Sequence, residues 1–203
     1  VTYLATHLDT VAQRLGEHVA LVVVALAIAL VIALPLGIAA ARRPRVGAAI
    51  LAGTAAIYTI PSLALLAVLV VVLGVGPRSA IVALVLYAQL ALVRGIVGGL
   101  RGVDPALVDA ARGLGFTPRQ SLLRVELPLA LPVVLGGVRL AAISLVALAT
   151  VAGWIDAGGL GTLIFDGLAE HHTSPVVVGA LASAALAIAA DAALRGAERW
   201  AQR

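Results

Sequence analysis

The residues able to do chemistry in this chain gather in a few places. Between Leu100 and Glu126 stand Arg101, Asp104, Asp109, Arg112, Arg119, Arg124 and Glu126, the densest run of charge in the sequence. Gly158-Gly159-Leu160-Gly161 follows Asp156, and His171-His172 stands beside Glu170. No catalytic pattern emerges from them. There is no His-Glu-x-x-His and no Gly-x-Ser-x-Gly, and the glycine run lacks the Lys-Ser/Thr and the preceding strand of a phosphate loop. The paired histidines have no companion ligand at helical spacing, which argues against a metal. Cysteine is absent, so disulfides, thiolate metal sites and thiol catalysis are excluded. Recognition and mechanical work are what such residues can still do.

The elements that must position them are membrane helices. Of 203 residues, 62% are hydrophobic and 12% charged, against roughly 45–50% and 25% in ordinary domains, and mean hydropathy is +1.12. Disorder, a secreted scaffold and a common cytosolic enzyme are set aside. Residues 19–41 are uncharged and as a helix would span about 35 Å, enough to cross a bilayer. That stretch is too long for a signal-peptide core and is expected to stay in the mature protein. Further spans are expected over 46–73 (interrupted by Pro61), 78–99, 131–155 and 176–194. A Gly-rich re-entrant or surface segment covers 156–175, and a polar, basic tail covers 195–203. The fold class is therefore all-α: a polytopic membrane protein with about five transmembrane helices, one domain over 1–203, and a charged loop over 101–131.

Every one of the 14 basic residues is arginine, and net charge is +4. No basic stripe is interleaved with stacking aromatics, so nucleic acid is not an expected partner. The arginines instead set topology by the positive-inside rule. With Thr2 outside and Gln202 inside, the cytoplasmic side receives Arg42, Arg43, Arg45, Arg101, Arg112, Arg119, Arg124, Arg195, Arg199 and Arg203. The 101–131 loop is then cytoplasmic.

Within that loop, Asp104-Pro105 places a capping acceptor before a proline suited to the first helical turn. A short helix is expected through Ala106-Leu107-Val108-Asp109-Ala110-Ala111-Arg112, closed by Gly113-Leu114-Gly115. Thr117 and Gln120 stand at capping-box spacing for a second short helix, and Leu127-Pro128 and Pro132 are expected to close the loop. One face carries Ala106, Ala110, Ala111 and Leu114; the other is charged. Two readings stay open on physical grounds: an amphipathic segment on the inner leaflet, or a docking element for a groove on a cytoplasmic partner.

The spacing resembles a known one. Asp109-Ala110-Ala111, three residues, Gly115, nine residues, Val125, one residue and Leu127-Pro128 is similar to the EAA loop of bacterial ABC importer permeases, with Asp109 in place of Glu and Val125 in place of Ile. The stretches Tyr58–Leu66, Val103–Leu107, Val125–Pro132 and Ala157–Gly161 resemble the osmoprotectant branch, which carries glycine betaine, carnitine, choline and related quaternary amines. Asp156 departs from it, standing where a small residue is expected. The resemblance implies the type I importer permease fold and an ATPase-coupling loop made of Asp104, Asp109, Ala110, Ala111, Gly113, Gly115, Val125, Leu127 and Pro128. It implies as partners cytoplasmic ABC ATPase subunits, a second permease chain (the same or a paralogue) and an extracytoplasmic substrate-binding protein, in the plasma membrane of a bacterium. No cofactor is expected on this chain; ATP and Mg would sit on the ATPase.

Other residues carry weaker expectations. Tyr58, Pro61 and Ser62 are candidates for a gate or hinge, though Pro61 equally reads as a helix break made for packing. Asp156, Gly158 and Gly159 are candidates for the binding-protein contact. Arg139 is expected to snorkel, pair or take part in coupling, and His18 to lie at the interface. Quaternary ammonium groups are held by aromatic cages, whereas Trp, Tyr and Phe are few and scattered here, so the high-affinity cage is expected on the binding protein. Two alternatives stand: a permease for an amino acid such as methionine, and a self-contained channel or secondary carrier. The latter would need intramembrane ionisable groups.

Overall fold

The computed structural model describes Tyr3 and residues 6–201. Thr2, Gln202 and Arg203, used in the topology argument, lie outside the described residues. The described chain is helical nearly throughout and contains no strand.

Helix α1 runs over Leu8–Arg42, beginning well before residue 19. Its extra turns are polar and hold together by local pairs: Gln13 donates to Glu17 at 2.9 Å and Arg14 pairs with Glu17 at 2.9 Å, the spacing that places side chains on one helix face. Arg43 is extended, as the residue before Pro44 prefers, and α2 (Pro44–Thr59) turns back along α1. Helix α3 (Ser62–Leu73) should have continued α2 as one proline-interrupted span, yet the two axes differ by 93°. Pro61 lacks an N–H and pushes Ile60 out of helical geometry, and the Tyr87 hydroxyl donates to the freed Ile60 carbonyl.

Helix α4 (Pro77–Arg101) is the central span and the most buried of the long helices. It packs between α1 and a later helix, α7 (Leu127–Ala152). Lipid tails are as apolar as leucine, so such helices associate through close packing of small residues. Helix α1 presents Ala25, Ala29, Ala33 and Gly37 at every fourth position, and a Cβ on Gly37 would lie 2.6 Å from Ile96. Helices α4 and α7 cross where a Cβ on Gly95 would lie 2.9 Å from the Gly137 Cα.

Between α4 and α7 come α5 (Pro105–Gly113) and α6 (Pro118–Ser121), described below. After α7, a single 3₁₀ turn and three positive-φ residues lead into α8 (Leu160–Ala169). This helix was not expected within the Gly-rich segment; it forms because Gly167 and Gly179 let it lie against the last helix, α9 (Thr173–Ala201), at near backbone contact. Helix α9 absorbs the expected polar tail. Asp191 takes Arg139 at 3.1 Å and also Arg195, and Glu198 takes Arg139 at 3.2 Å. Arg139 is thus paired rather than snorkelling. Among the described residues, four helices are long and apolar enough to cross a membrane, or five if α2 and α3 count as one broken span.

Candidate functional site

The charged loop is built from local signals that close as expected at its start. Asp104 accepts from the Ala106 N–H at 2.9 Å and opens α5. At the other end the Gly115 N–H reaches the Arg112 carbonyl at 2.9 Å and the Phe116 N–H reaches Ala111 at 3.0 Å. That pair of bonds requires a left-handed residue between them, and Gly115 has φ +84°. Gly113 lies inside α5 with no positive φ. The capping box is complete: the Gln120 N–H donates to Thr117 Oγ1 at 3.3 Å and the Thr117 N–H to Gln120 Oε1 at 2.8 Å.

Beyond this point the loop differs from expectation. Leu127-Pro128 does not close a separate helix. A π-helical turn over Leu122–Glu126 carries α6 straight into α7, and the Leu127 N–H bonds back to Leu122. A proline in a regular helix loses one bond and crowds the carbonyl a turn earlier; the wider turn just before Pro128 relieves that crowding. The second short helix of the loop is therefore the loop-side end of the fourth span itself.

Three contacts brace the loop on the bundle. Arg42, at the end of α1, pairs with Glu126 at 3.0 Å, and the Ser121 hydroxyl donates to the same carboxylate at 3.1 Å. Arg101 donates to the Ala40 carbonyl at 2.9 Å, satisfying one of the open carbonyls at the α1 terminus. In the sequence Arg42 and Arg101 read only as topology markers, and Ser121 and Glu126 carry no signal of this role. The loop's exposed surface includes apolar residues among its charges: Leu114 is 79% exposed and Leu107 46% exposed, with Ala106 and Ala110 beside them. Ala111 has turned inward at 5%. Asp109 pairs with Arg112 at 3.0 Å in the open. Val125 and Leu127 are half-buried and Pro128 exposed.

A cavity of about 450 Å³ lies between α2, α4 and α7, with Tyr58, Tyr87, Arg94, Gly95, Gly136 and Ser144 in its walls. Tyr58 and Tyr87 meet edge to face at 5.9 Å and 79°. A second hollow of about 360 Å³ adjoins it and adds Ile60 and Ser62. Of the gate candidates, Tyr58 and Ser62 line these spaces and Pro61 makes the bend between them. Tyr87, Arg94 and Ser144 were missed; a tyrosine and an arginine seven residues apart on one apolar helix face was the available signal.

The candidates for the binding-protein contact divide. Asp156 is exposed in a left-handed turn at φ 53°, next to an exposed Trp154. Gly158 and Gly159 face inward. The Gly159 N–H donates to Glu17 at 2.9 Å and the Leu160 N–H to His18 Nδ1 at 3.3 Å. The other ring nitrogen of His18 meets the Val146 carbonyl at 3.1 Å. His18 is thus a fully buried staple between α1, α7 and α8, not an interfacial residue.

Comparison with known proteins places this geometry. Residues 33–203 match the family described as "Binding-protein-dependent transport system inner membrane component". The chain is 38% identical to the choline transport system permease protein OpuBB of Bacillus subtilis (strain 168), over 98% of this chain and 92% of that one. It is 36% identical, over the same shares, to that organism's glycine betaine/carnitine/choline transport system permease protein OpuCB. Among solved structures, the MetNI methionine ABC transporter in an inward-facing form superposes with a TM-score of 0.80 at 26% identity, covering 92% of this chain and 94% of that one.

Proposed function

The chain belongs to the binding-protein-dependent transport system inner membrane components, and on that premise we propose that it carries a quaternary-ammonium osmoprotectant as one half of an ABC importer's translocation path. The observation that carries the reading is the loop: two capped helical turns at the EAA spacing, braced on α1 and exposing Leu107, Leu114, Ala106 and Ala110. Rigid apolar projections of this kind fit a groove on a partner. Cytoplasmic ATPase subunits, holding the ATP and Mg that this chain does not, dock there and pull two permease chains between inward- and outward-facing states. A binding protein delivers substrate to the other face, where Asp156 and Trp154 are exposed. The relatives at 36–38% identity are permeases for choline, glycine betaine and carnitine, which favours those substrates over methionine, whose transporter shares the fold. A secondary carrier is disfavoured because the matched family is that of binding-protein-dependent transport systems.

The chain, reconstituted with its ATPase and binding protein, takes up labelled glycine betaine or choline in an ATP-dependent manner; uptake that needs no ATPase would identify a carrier instead. The topology is N-terminus outside and C-terminus inside. Single cysteines at Asp156 and Arg119, both exposed, test it in this Cys-free chain. An impermeant maleimide added to intact cells labels Asp156→Cys and spares Arg119→Cys. The reverse pattern puts the loop on the wrong side for an ATPase.

A further inference from the structure

The cavity between α2, α4 and α7 has chemically distinct ends. At one end are two aromatic rings set at right angles, Tyr58 and Tyr87. Tyr58 is 47% exposed and Tyr87 only 6%, its hydroxyl fixed on the Ile60 carbonyl, so its position is set. At the other end is Arg94, which makes no ion pair or hydrogen bond with any described residue. Arg94 is exposed where it lines the cavity, whereas the arginines near the loop and the last helix are engaged: Arg42 by Glu126, Arg101 by a helix terminus, Arg139 by two carboxylates. An unpaired guanidinium within a membrane helix is costly and marks a pathway or a ligand.

The spacing joins the two ends. Tyr87 and Arg94 are two helical turns apart on one face of α4, about 10 Å along the axis, and both line the same cavity. Gly95 and Gly136 lie in the wall, and Ser144 adds a hydroxyl with no partner among the described residues. A cation alone would meet Arg94 as a like charge. A small zwitterion meets both ends correctly: its quaternary ammonium on the tyrosine faces, its carboxylate on the guanidinium fork.

We propose that this cavity is a weak transit site for carboxylated quaternary amines, with Tyr58 and Tyr87 taking the ammonium and Arg94 the carboxylate. It therefore prefers betaines to choline. Two rings form less than a full cage, which suits a site that must release its cargo. The inference rests on the osmoprotectant reading above.

The test is saturation-transfer difference NMR on the permease–ATPase complex in nanodiscs, without binding protein, using glycine betaine and choline as probes. Wild type gives a stronger methyl signal with glycine betaine than with choline. Arg94→Gln weakens glycine betaine binding about tenfold, the loss expected for one charge-assisted pair, and leaves choline within about twofold. Arg94→Lys restores part of the difference, and Tyr58→Leu weakens both ligands. The ratio between ligands does not depend on protein yield, and the Lys variant stands in if the Gln variant fails to assemble. Equal binding of both ligands by wild type, or equal loss of both in the arginine variants, overturns the proposal. ATP-driven uptake of either compound by the complete transporter is measured in parallel. Uptake without the NMR pattern sinks this inference alone, whereas no uptake of either sinks the osmoprotectant reading.

Discussion

Replacing Gly115 by valine abolishes uptake while leaving normal amounts of protein in the membrane. The cost is purely conformational. Nothing lies within 4 Å of a Cβ built at Gly115, but φ is +84°, where an ordinary L-residue pays about 1–2 kcal/mol and a β-branched one more. Valine escapes by unwinding the turn, so the Phe116-to-Ala111 bond is lost and α5 swings away from its docking angle. Gly115→Asn, which tolerates left-handed geometry, keeps most of the activity. Gly113→Ala, in open space and without a positive φ, is neutral. Asp109→Arg gives the same phenotype by another route. Its exposed pair with Arg112 contributes at most about 1 kcal/mol to stability, so the spans still fold. The new cation stands beside Arg112 on the exposed surface. Uptake of labelled glycine betaine against membrane abundance separates these outcomes. Full uptake by both Gly115→Val and Asp109→Arg would make the loop a passive surface segment.

A single methyl at Gly161 has the largest structural effect expected. A Cβ there would sit 2.0 Å from the Thr150 carbonyl oxygen, and its neighbour across the turn, Gly153, has 2.3 Å to the Gly161 carbonyl carbon. Both obstacles are backbone, so no rotamer change relieves them. Alanine gains about 1 kcal/mol over glycine in helix propensity, but forcing α7 and α8 apart costs beyond about 3 kcal/mol. It also strains the His18 staple that spans Val146 and Leu160. Gly161→Ala therefore accumulates poorly and aggregates on extraction, while Gly16→Ala and Gly53→Ala, with nothing near the added carbon, behave as wild type. Fluorescence-detected size exclusion distinguishes them; a monodisperse Gly161→Ala at wild-type yield would refute this packing of the outer turn.

What the sequence made legible was local. Asp104-Pro105, Gly115 and the Thr117–Gln120 pair each specify a conformation through bonds spanning a few residues, and all formed as read. The spans were legible from apolar length, though their ends were not: Asp9, Gln13 and Arg14 extend α1, and Arg195 and Glu198 extend α9, because polar residues can lengthen a helix beyond the bilayer. The π turn was hidden because Pro128 reads as a stop until the helix on both sides is known. Contacts across distant segments left no trace in any window. His18 with Val146, Arg139 with Asp191 and Tyr58 with Tyr87 depend on which helices become neighbours. The role of the loop is legible only through its resemblance to importer permeases, and Tyr87 and Arg94 carry no motif that points to a site without the cavity that places them together.

The docking claim is tested most directly by a photocrosslinking amino acid substituted at Leu114, the most exposed apolar residue of the loop. Illumination of membranes containing the assembled transporter should yield one adduct whose mass is the permease plus one ATPase subunit, with the same substitution at exposed Leu181 on α9 giving none. Adducts at Leu114 with phospholipid alone would mean that the loop lies on the inner leaflet and contradict the assignment.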